Sequence, residues 1–161
     1  METRQPAAAG RFYPFDPSSL QSKIRECFEQ DLGPGNVPEE GVSSGFAGGV
    51  VPHAGYDFSG PCAAHVYERL VESGIPDVVV IFGTMHYSDM DYAVDDRDYR
   101  TPLGTVENVF PELETELEVE RSVHDREHSI EVQLPFLQYF FYFNDTATTE
   151  IYTREMERIE E

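Results

Sequence analysis

The chain has 161 residues, 40% of them hydrophobic and 12% aromatic, and a formal net charge of −20 at pH 7. This length suits one domain with a sizeable core, and the aromatic content excludes an acidic disordered chain. A surface this acidic repels nucleic-acid phosphates and anionic membranes, so we expect neither as a partner.

The acidity is unusual in kind as well as amount. Asp and Glu number 31 against 11 Lys and Arg, and Lys23 is the one lysine in the sequence. Because the charge is spread along the chain, we interpret the protein as adapted to high salt, where mobile ions screen self-repulsion. An ordinary acidic protein is the alternative, and salt-dependent stability separates the two.

Cysteine spacing and the N-terminus indicate a reducing compartment. Cys27 and Cys62 are the two cysteines, and no CxxC motif occurs, which argues against a zinc ribbon or a thioredoxin-like site. The N-terminal residues lack the apolar stretch of a signal peptide, and no apolar run reaches the roughly 20 residues of a membrane helix. We therefore expect a cytoplasmic protein.

In the first half of the chain the sequence predicts six segments in order. They are an irregular segment (4–15), a helix (17–32), a loop (33–44), a buried strand (46–51), a second helix (59–73) and a second strand (78–82). Asp16 and Pro17 form a helix start, and Gly74 forms a helix stop. Strand, helix and strand at this spacing predict a βαβ unit with parallel strands. The continuous β-branched run 78–82 is typical of a strand covered on both faces.

The second half predicts shorter elements. Short strands at residues 92–94 and 105–106 flank a turn at 101–104, and residues 110–117 predict a short helix. Residues 129–139 fit a helix that contains Pro135 somewhat better than a strand.

Two histidines occupy matching places in the predicted βαβ unit. His53 follows the first strand and His86 follows the second. Ligands of open parallel sheets bind at the carboxyl ends of the strands, so both imidazoles can converge on one ion or substrate. A lone histidine in such a loop is more often structural, but two histidines at matching positions of one βαβ unit favour a functional pocket.

A third cluster reads His124, Asp125, Glu127 and His128. The two histidines are four residues apart and would share a helix face, while the carboxylates could serve as ligand, general base or histidine partner. A solvated acidic helix start explains this stretch equally well. The cluster also matches the H-x-x-E-H pattern of inverted zinc peptidases, a minor alternative that needs another carboxylate ligand downstream.

Four segments together carry a family resemblance: residues 4–14 (RQPAAAGRFYP), 48–56 (GGVVPHAGY) followed by Ser59-Gly60, 101–104 (TPLG), and 127–138 (EHSIEVQLPFLQ). On these motifs the chain resembles the Memo family, also called AmmeMemoRadiSam system protein B. That family is similar to class III extradiol dioxygenases. The resemblance implies an α/β fold with three layers, α/β/α, around a largely parallel central sheet.

The resemblance also implies a metal pocket. In the dioxygenases two histidines and a carboxylate hold non-haem iron, and in Memo proteins two histidines and a cysteine form the equivalent site. By motif, His53 and His86 match the metal ligands, and His128 matches an acid–base or orienting histidine with Asp125 or Glu127 as its partner. The implied cofactor is a divalent or redox metal, with iron favoured over copper or zinc.

The resemblance leaves substrate and partners open. It implies non-haem redox or oxygenase-type chemistry on a small molecule or peptide, and a radical SAM system partner. The alternative is a non-catalytic module that binds a peptide or partner protein in the same pocket. Around His86 the chain reads Gly-Thr-Met-His, where the family usually has Gly-Pro-Asn-His or Gly-Pro-Ser-His, which would weaken polar support of the ligand.

The C-terminal residues depart further from the family. The resemblance ends near Tyr139, so we expect residues 1–139 to form the N-terminal portion of a Memo-like domain that is truncated at its C-terminus. Residues 140–161 would be a non-homologous tail that resembles translated sequencing-adapter sequence.

Overall fold

The computed structural model describes residues 2–41, 45–108 and 119–141 in full and residues 150–156 by their backbone. Within these ranges the chain is a mixed α/β protein with helices beside two three-stranded sheets. The strands are Thr3–Arg4 (β1), Val78–Thr84 (β2), Tyr92–Val94 (β3), Asp98–Thr101 (β4), Gly104–Val106 (β5) and Glu150–Met156 (β6). The helices are Pro17–Glu29 (α1), Tyr56–Glu72 (α2), Arg121–His124 (α3) and Leu134–Phe141 (α4), and a 3-10 turn spans Glu131–Gln133.

Both sheets mix parallel and antiparallel pairs. In the first sheet β1 is parallel to β4, and β4 is antiparallel to β5. In the second, β2 is parallel to β6, and β3 is antiparallel to β6. The α/β class is confirmed, whereas the largely parallel, three-layer arrangement and the division at residue 139 stay predictions. Among the described helices, none combines the length and the apolar character needed to cross a membrane.

Helix α1 forms where its cap and apolar spacing predict it. The Asp16 carboxylate accepts a hydrogen bond from the Ser19 amide at 2.8 Å, which satisfies a free donor of the first turn. The buried face consists of Leu20, Ile24, Cys27 and Phe28. The helix ends at Glu29, so Leu32, predicted to lie on the buried face, is 77% exposed.

Residues 46–51 are not a strand, and this prediction is wrong. They have no place in either described sheet, and Val50 is 95% exposed. Gly48 and Gly49 interrupt the apolar run. Glycine weakens a strand because its backbone loses more conformational entropy on folding and because it has no side chain to pack. The βαβ unit therefore does not form over these residues, and the described parallel partner of β2 is β6.

Strand β2 is confirmed and extends two residues past the predicted end. Its side chains alternate: Val79 and Ile81 pack against the core, while Val78, Val80 and Phe82 are 51%, 49% and 57% exposed. The expectation that both faces are covered is therefore wrong. A half-buried strand gives the same apolar run as a fully buried one, so composition could not separate them.

Helix α2 begins at Tyr56, three residues earlier than predicted, and crosses α1 closely at Gly60. A Cβ added to Gly60 would lie 2.4 Å from the Cys27 sulfur, so a larger residue would push the helices apart. The Tyr56 hydroxyl donates to the Val132 carbonyl at 2.7 Å. These contacts fix the start of α2, and with it the preceding loop that carries His53.

The second half largely follows the predictions. Strands at 92–94 and 105–106 and the turn at 101–104 are confirmed, while the predicted helix at 110–117 lies outside the described residues. The helix over 129–139 is confirmed as the 3-10 turn followed by α4, with Pro135 in the first turn of α4, where its missing N–H costs little. Helix α3 ends at His124, so His124 and His128 do not share a helix face as predicted.

Candidate metal centre

Three histidines from separate parts of the chain meet at one point. His53 lies in the loop before α2, His86 lies two residues after β2, and His128 lies between α3 and the 3-10 turn. Each offers a ring nitrogen, and these nitrogens all lie within 4.8 Å of one another. The fold therefore brings together the three histidines that the sequence nominated.

The His53 loop is tied down on both sides. The preceding Pro52 carbonyl accepts a hydrogen bond from the Gln133 side chain at 3.2 Å. The following Tyr56 amide donates to the Phe12 carbonyl at 2.8 Å. Both contacts lie outside the imidazole, so they hold the backbone and leave the ring free to bind.

His86 is held by the carboxylate of Glu127. The His86 amide donates to Glu127 Oε2 at 2.5 Å, and His86 Nδ1 lies 2.6 Å from Glu127 Oε1. The end of β2 is fixed as well, because the Thr84 amide donates to Ser129 Oγ and Ser129 Oγ donates to the Thr84 carbonyl, each at 3.0 Å. Nδ1 is thus engaged, and Nε2 is the nitrogen that faces the pocket.

His128 packs between rings. Its imidazole stacks on that of His86, with ring centres 4.5 Å apart and planes at 22°, and contacts the Phe12 ring at 4.4 Å. Its Nδ1 lies 3.5 Å from Glu127 Oε1. Because an aromatic ring from the N-terminal segment covers it, the orientation of His128 depends on residues far away in sequence.

Electrostatics favour neutral imidazoles at two of the three positions. Burial lowers the pKa of His53, and the neighbouring charge of His86 lowers it further. The same two causes lower the pKa of His128. A neutral imidazole has a free nitrogen lone pair, which is the form that binds a metal ion.

The spacing and chemistry of these donors suit a metal ion. His53 Nε2 and His86 Nε2 lie 3.3 Å apart. Two nitrogens bound to one ion at about 2.0–2.1 Å in tetrahedral geometry would be about 3.3–3.4 Å apart. Imidazole is a ligand of zinc, copper, iron and nickel, so the donor set fits a transition metal without selecting one.

The other candidate residues lie elsewhere. The Asp125 carboxylate accepts a hydrogen bond from Arg97 at 2.8 Å, and its side chain is 56% exposed. His124 is completely buried, and burial is the main cause that lowers its pKa to about 4. The structure does not bring His124 into the metal-suited group, which removes the geometric basis of the zinc-peptidase alternative.

Sequence reasoning missed the contacts that support the cluster. It offered Asp125 or Glu127 as the partner of His128, whereas the shorter ring contact of Glu127 is to His86, which is 41 positions away. It also gave no role to Phe12 or Ser129. Local spacing cannot reveal such contacts, and the sequence signal for Phe12 and Ser129 is that both lie inside the motif segments.

The fold and the three-histidine cluster define a mixed α/β protein with a candidate metal centre, and comparison with known proteins supplies the family. Residues 4–152 match the family described as Memo-like protein. The chain belongs to the Memo family.

Relatives at high identity agree with this assignment. The chain is 49% identical over 149 residues to a MEMO1 family protein of Methanopyrus kandleri, covering 86% of this chain and 52% of that protein. It is 43% identical over 147 residues to one of Methanothermobacter thermautotrophicus, covering 85% of this chain and 52% of the relative. The chain thus spans about half the length of the curated relatives it matches.

Proposed function

We propose that this chain carries the histidine part of a metal pocket that performs non-haem redox or dioxygenase-like chemistry. In this proposal His53 and His86 bind the metal through Nε2. The observation that carries it is the 3.3 Å separation of these two nitrogens, which matches neighbouring ligands of one ion. Iron is the favoured metal, with copper or zinc as alternatives.

The residues of the pocket would divide the work. A bound redox metal would supply electron transfer and activation of a substrate or of dioxygen. His53 and His86 would hold it. His128, beside them and shielded by Phe12, would accept or return a proton of the substrate, or orient it. Of the two carboxylates first considered as its partner, Glu127 is favoured, because Asp125 is paired with Arg97.

The proposal also covers the activity of the whole protein. We propose a three-layer α/β/α fold of the class III extradiol dioxygenase type, a small-molecule or peptide substrate, and a radical SAM partner, each on the family resemblance. The competing function is a module that binds a peptide or partner protein in the same pocket without catalysis. Metal dependence separates the two functions.

The test is the metal content of the purified chain. We would purify it without oxygen in high salt and measure bound metals by elemental analysis, beside a His53→Ala, His86→Ala double variant. The control is His65→Ala, since His65 is exposed and its ring contacts the Leu32 carbonyl, away from the cluster. We expect close to one metal ion per chain in the wild type and in the control, and none in the double variant.

A His128→Ala variant defines the role of the third histidine. Retained metal with lost turnover would support the acid–base role, whereas lost metal would make His128 a third ligand. A folded wild type that takes up no iron, copper or zinc would contradict the proposed function and favour the binding module.

A further inference from the structure

Glu127 is a buried carboxylate that contacts two of the three histidines. Its side chain is 1% exposed. One oxygen, Oε2, accepts from the His86 amide, while the other, Oε1, lies 2.6 Å from His86 Nδ1, 3.2 Å from the His128 amide and 3.5 Å from His128 Nδ1. Both oxygens are therefore used within the histidine cluster.

The contact with His86 sets which ring nitrogen carries the proton. An ionised carboxylate only accepts hydrogen bonds, so the His86 nitrogen that faces it at 2.6 Å carries the hydrogen. Nε2 of His86 then has the free lone pair, and it points at His53 Nε2. Because the His86 amide is bound by the second oxygen, the backbone and the ring are held by one side chain, which limits rotation of the imidazole.

The backbone that carries Glu127 is itself held in place by a buried arginine. The Arg4 guanidinium donates to the main-chain carbonyl of Glu127 and, at 2.7 Å, to that of His124, and it pairs with the Glu131 carboxylate at 2.8 Å. These contacts fix the backbone of residues 124–131. Of the hydrogen bonds described for the Glu127 carboxylate, all come from His86 and His128, so its negative charge is directed at the pocket.

We propose that Glu127 is a positioning residue for the metal ligands: it fixes the His86 tautomer and ring, orients His128 alongside, and supplies a buried negative charge that favours a cation at the three ring nitrogens. This role rests on the proposed function for the identity of the ligand. It differs from the role of base partner to His128, because the dominant contact is with His86. Outer carboxylates of this kind fix tautomers and raise ligand basicity in metalloproteins.

The test uses Glu127→Gln, which keeps the volume of the side chain but turns one acceptor oxygen into a donor group. A glutamine can accept from only one of the two His86 N–H groups. The matched control is Asp125→Asn, the same chemical change two positions away, at a carboxylate bound by Arg97. Thermal melting of each metal-free protein shows whether it is folded.

The first measurement is the tautomer of His86 in metal-free protein, by long-range proton–nitrogen NMR of histidine-labelled chain. We expect Nδ1–H in the wild type and in Asp125→Asn, and a shift toward Nε2–H in Glu127→Gln. The second is affinity for Co²⁺, used as a spectroscopic probe, which should fall by about 10–100-fold in Glu127→Gln and stay unchanged in Asp125→Asn.

The outcomes separate this inference from the proposed function. Nε2–H at His86 in the wild type, or a tautomer and Co²⁺ affinity untouched by Glu127→Gln, would overturn the positioning role. If the wild type binds no metal but the His86 tautomer still changes in Glu127→Gln, the proposed function is overturned and the control of His86 by Glu127 is supported. If Glu127→Gln does not fold, the wild-type tautomer still tests the positioning role, because Nε2–H at His86 would overturn it.

Discussion

His124 is a histidine whose protonation opposes folding. It has no solvent exposure, and burial lowers its pKa from 6.5 to about 4. Arg4 and Arg97 lower the pKa further, while Asp95 and Glu127 raise it and are outweighed. The protonated ring therefore fits the folded state poorly, although it is readily formed in the unfolded chain.

We predict that the folded state loses stability as pH falls from about 6.5 toward 4, with His124 as one cause. The folded pKa lies below the unfolded value, so the contribution is fully present above pH 6.5 and is lost on acidification, to a limit of about 3 kcal/mol. Chemical unfolding across this range should show that the free energy of unfolding depends less steeply on pH in His124→Leu than in the wild type.

The control for this prediction is His65→Leu, because His65 is an exposed histidine on α2. It should keep the wild-type slope. An identical slope in all three proteins would show that His124 does not contribute to the acid sensitivity.

At the scale of elements, the helices were more predictable than the strands. Helix α1 was predicted correctly at its start because Asp16 caps it, and α2 at its end because Gly74, with φ of +100°, stops it. Residues 46–51 were wrongly predicted as a strand because an apolar run reports hydrophobicity and not pairing. Cap chemistry is local, whereas strand pairing depends on a partner elsewhere in the chain.

The site was predictable in membership but not in its contacts. The sequence predicts His53 and His86 as site residues because each follows an apolar run. Their rings do lie in contact, even though the first run is not a strand. The start of α2 and the end of β2 place them. The contact of Glu127 with His86 crosses 41 positions, so no local pattern could indicate it.

Glu131 ties the N-terminal segment to the 3-10 turn beside the site. Its carboxylate accepts hydrogen bonds from the Arg4 guanidinium at 2.8 Å, from the Ala7 and Ala8 amides at 2.8 and 2.7 Å, and from the Tyr13 hydroxyl at 2.7 Å. Its side chain has no solvent exposure. Burial and the Glu131 charge together raise the pKa of Tyr13, which keeps that phenol protonated as a donor.

We predict that Glu131→Ala lowers the free energy of unfolding by about 3–5 kcal/mol, because it leaves the buried Arg4 charge without its carboxylate. Glu72→Ala is the control, since its partner Arg69 is 70% exposed, and it should cost less than about 1 kcal/mol. Denaturant unfolding of both variants gives the comparison. Equal, small losses would mean that Glu131 does not anchor the N-terminal segment.

At the scale of the whole molecule, the candidate centre depends on long-range folding. Its histidines and their supports come from the N-terminal segment, the loop before α2, the end of β2 and the stretch around His128. A ligand that binds only the folded state stabilises it, by about 2.7 kcal/mol at a hundredfold excess over its dissociation constant. Metal binding and stability should therefore rise and fall together.

Net charge acts on the molecule as a whole, and adaptation to salt stays a prediction from it. With a formal net charge of −20, the folded chain concentrates repulsion that the unfolded chain can relax. The Debye length falls from about 30 Å at 0.01 M salt to about 3 Å at 1 M, so salt should weaken this repulsion strongly.

We predict that the free energy of unfolding is higher by at least about 1 kcal/mol in about 1 M KCl than in about 0.01 M, a rise of about 2–4 °C in melting temperature. Melting in an uncharged osmolyte at equal osmolality is the control, and it should not reproduce the full rise. Equal stability in both salt concentrations would identify an ordinary acidic protein.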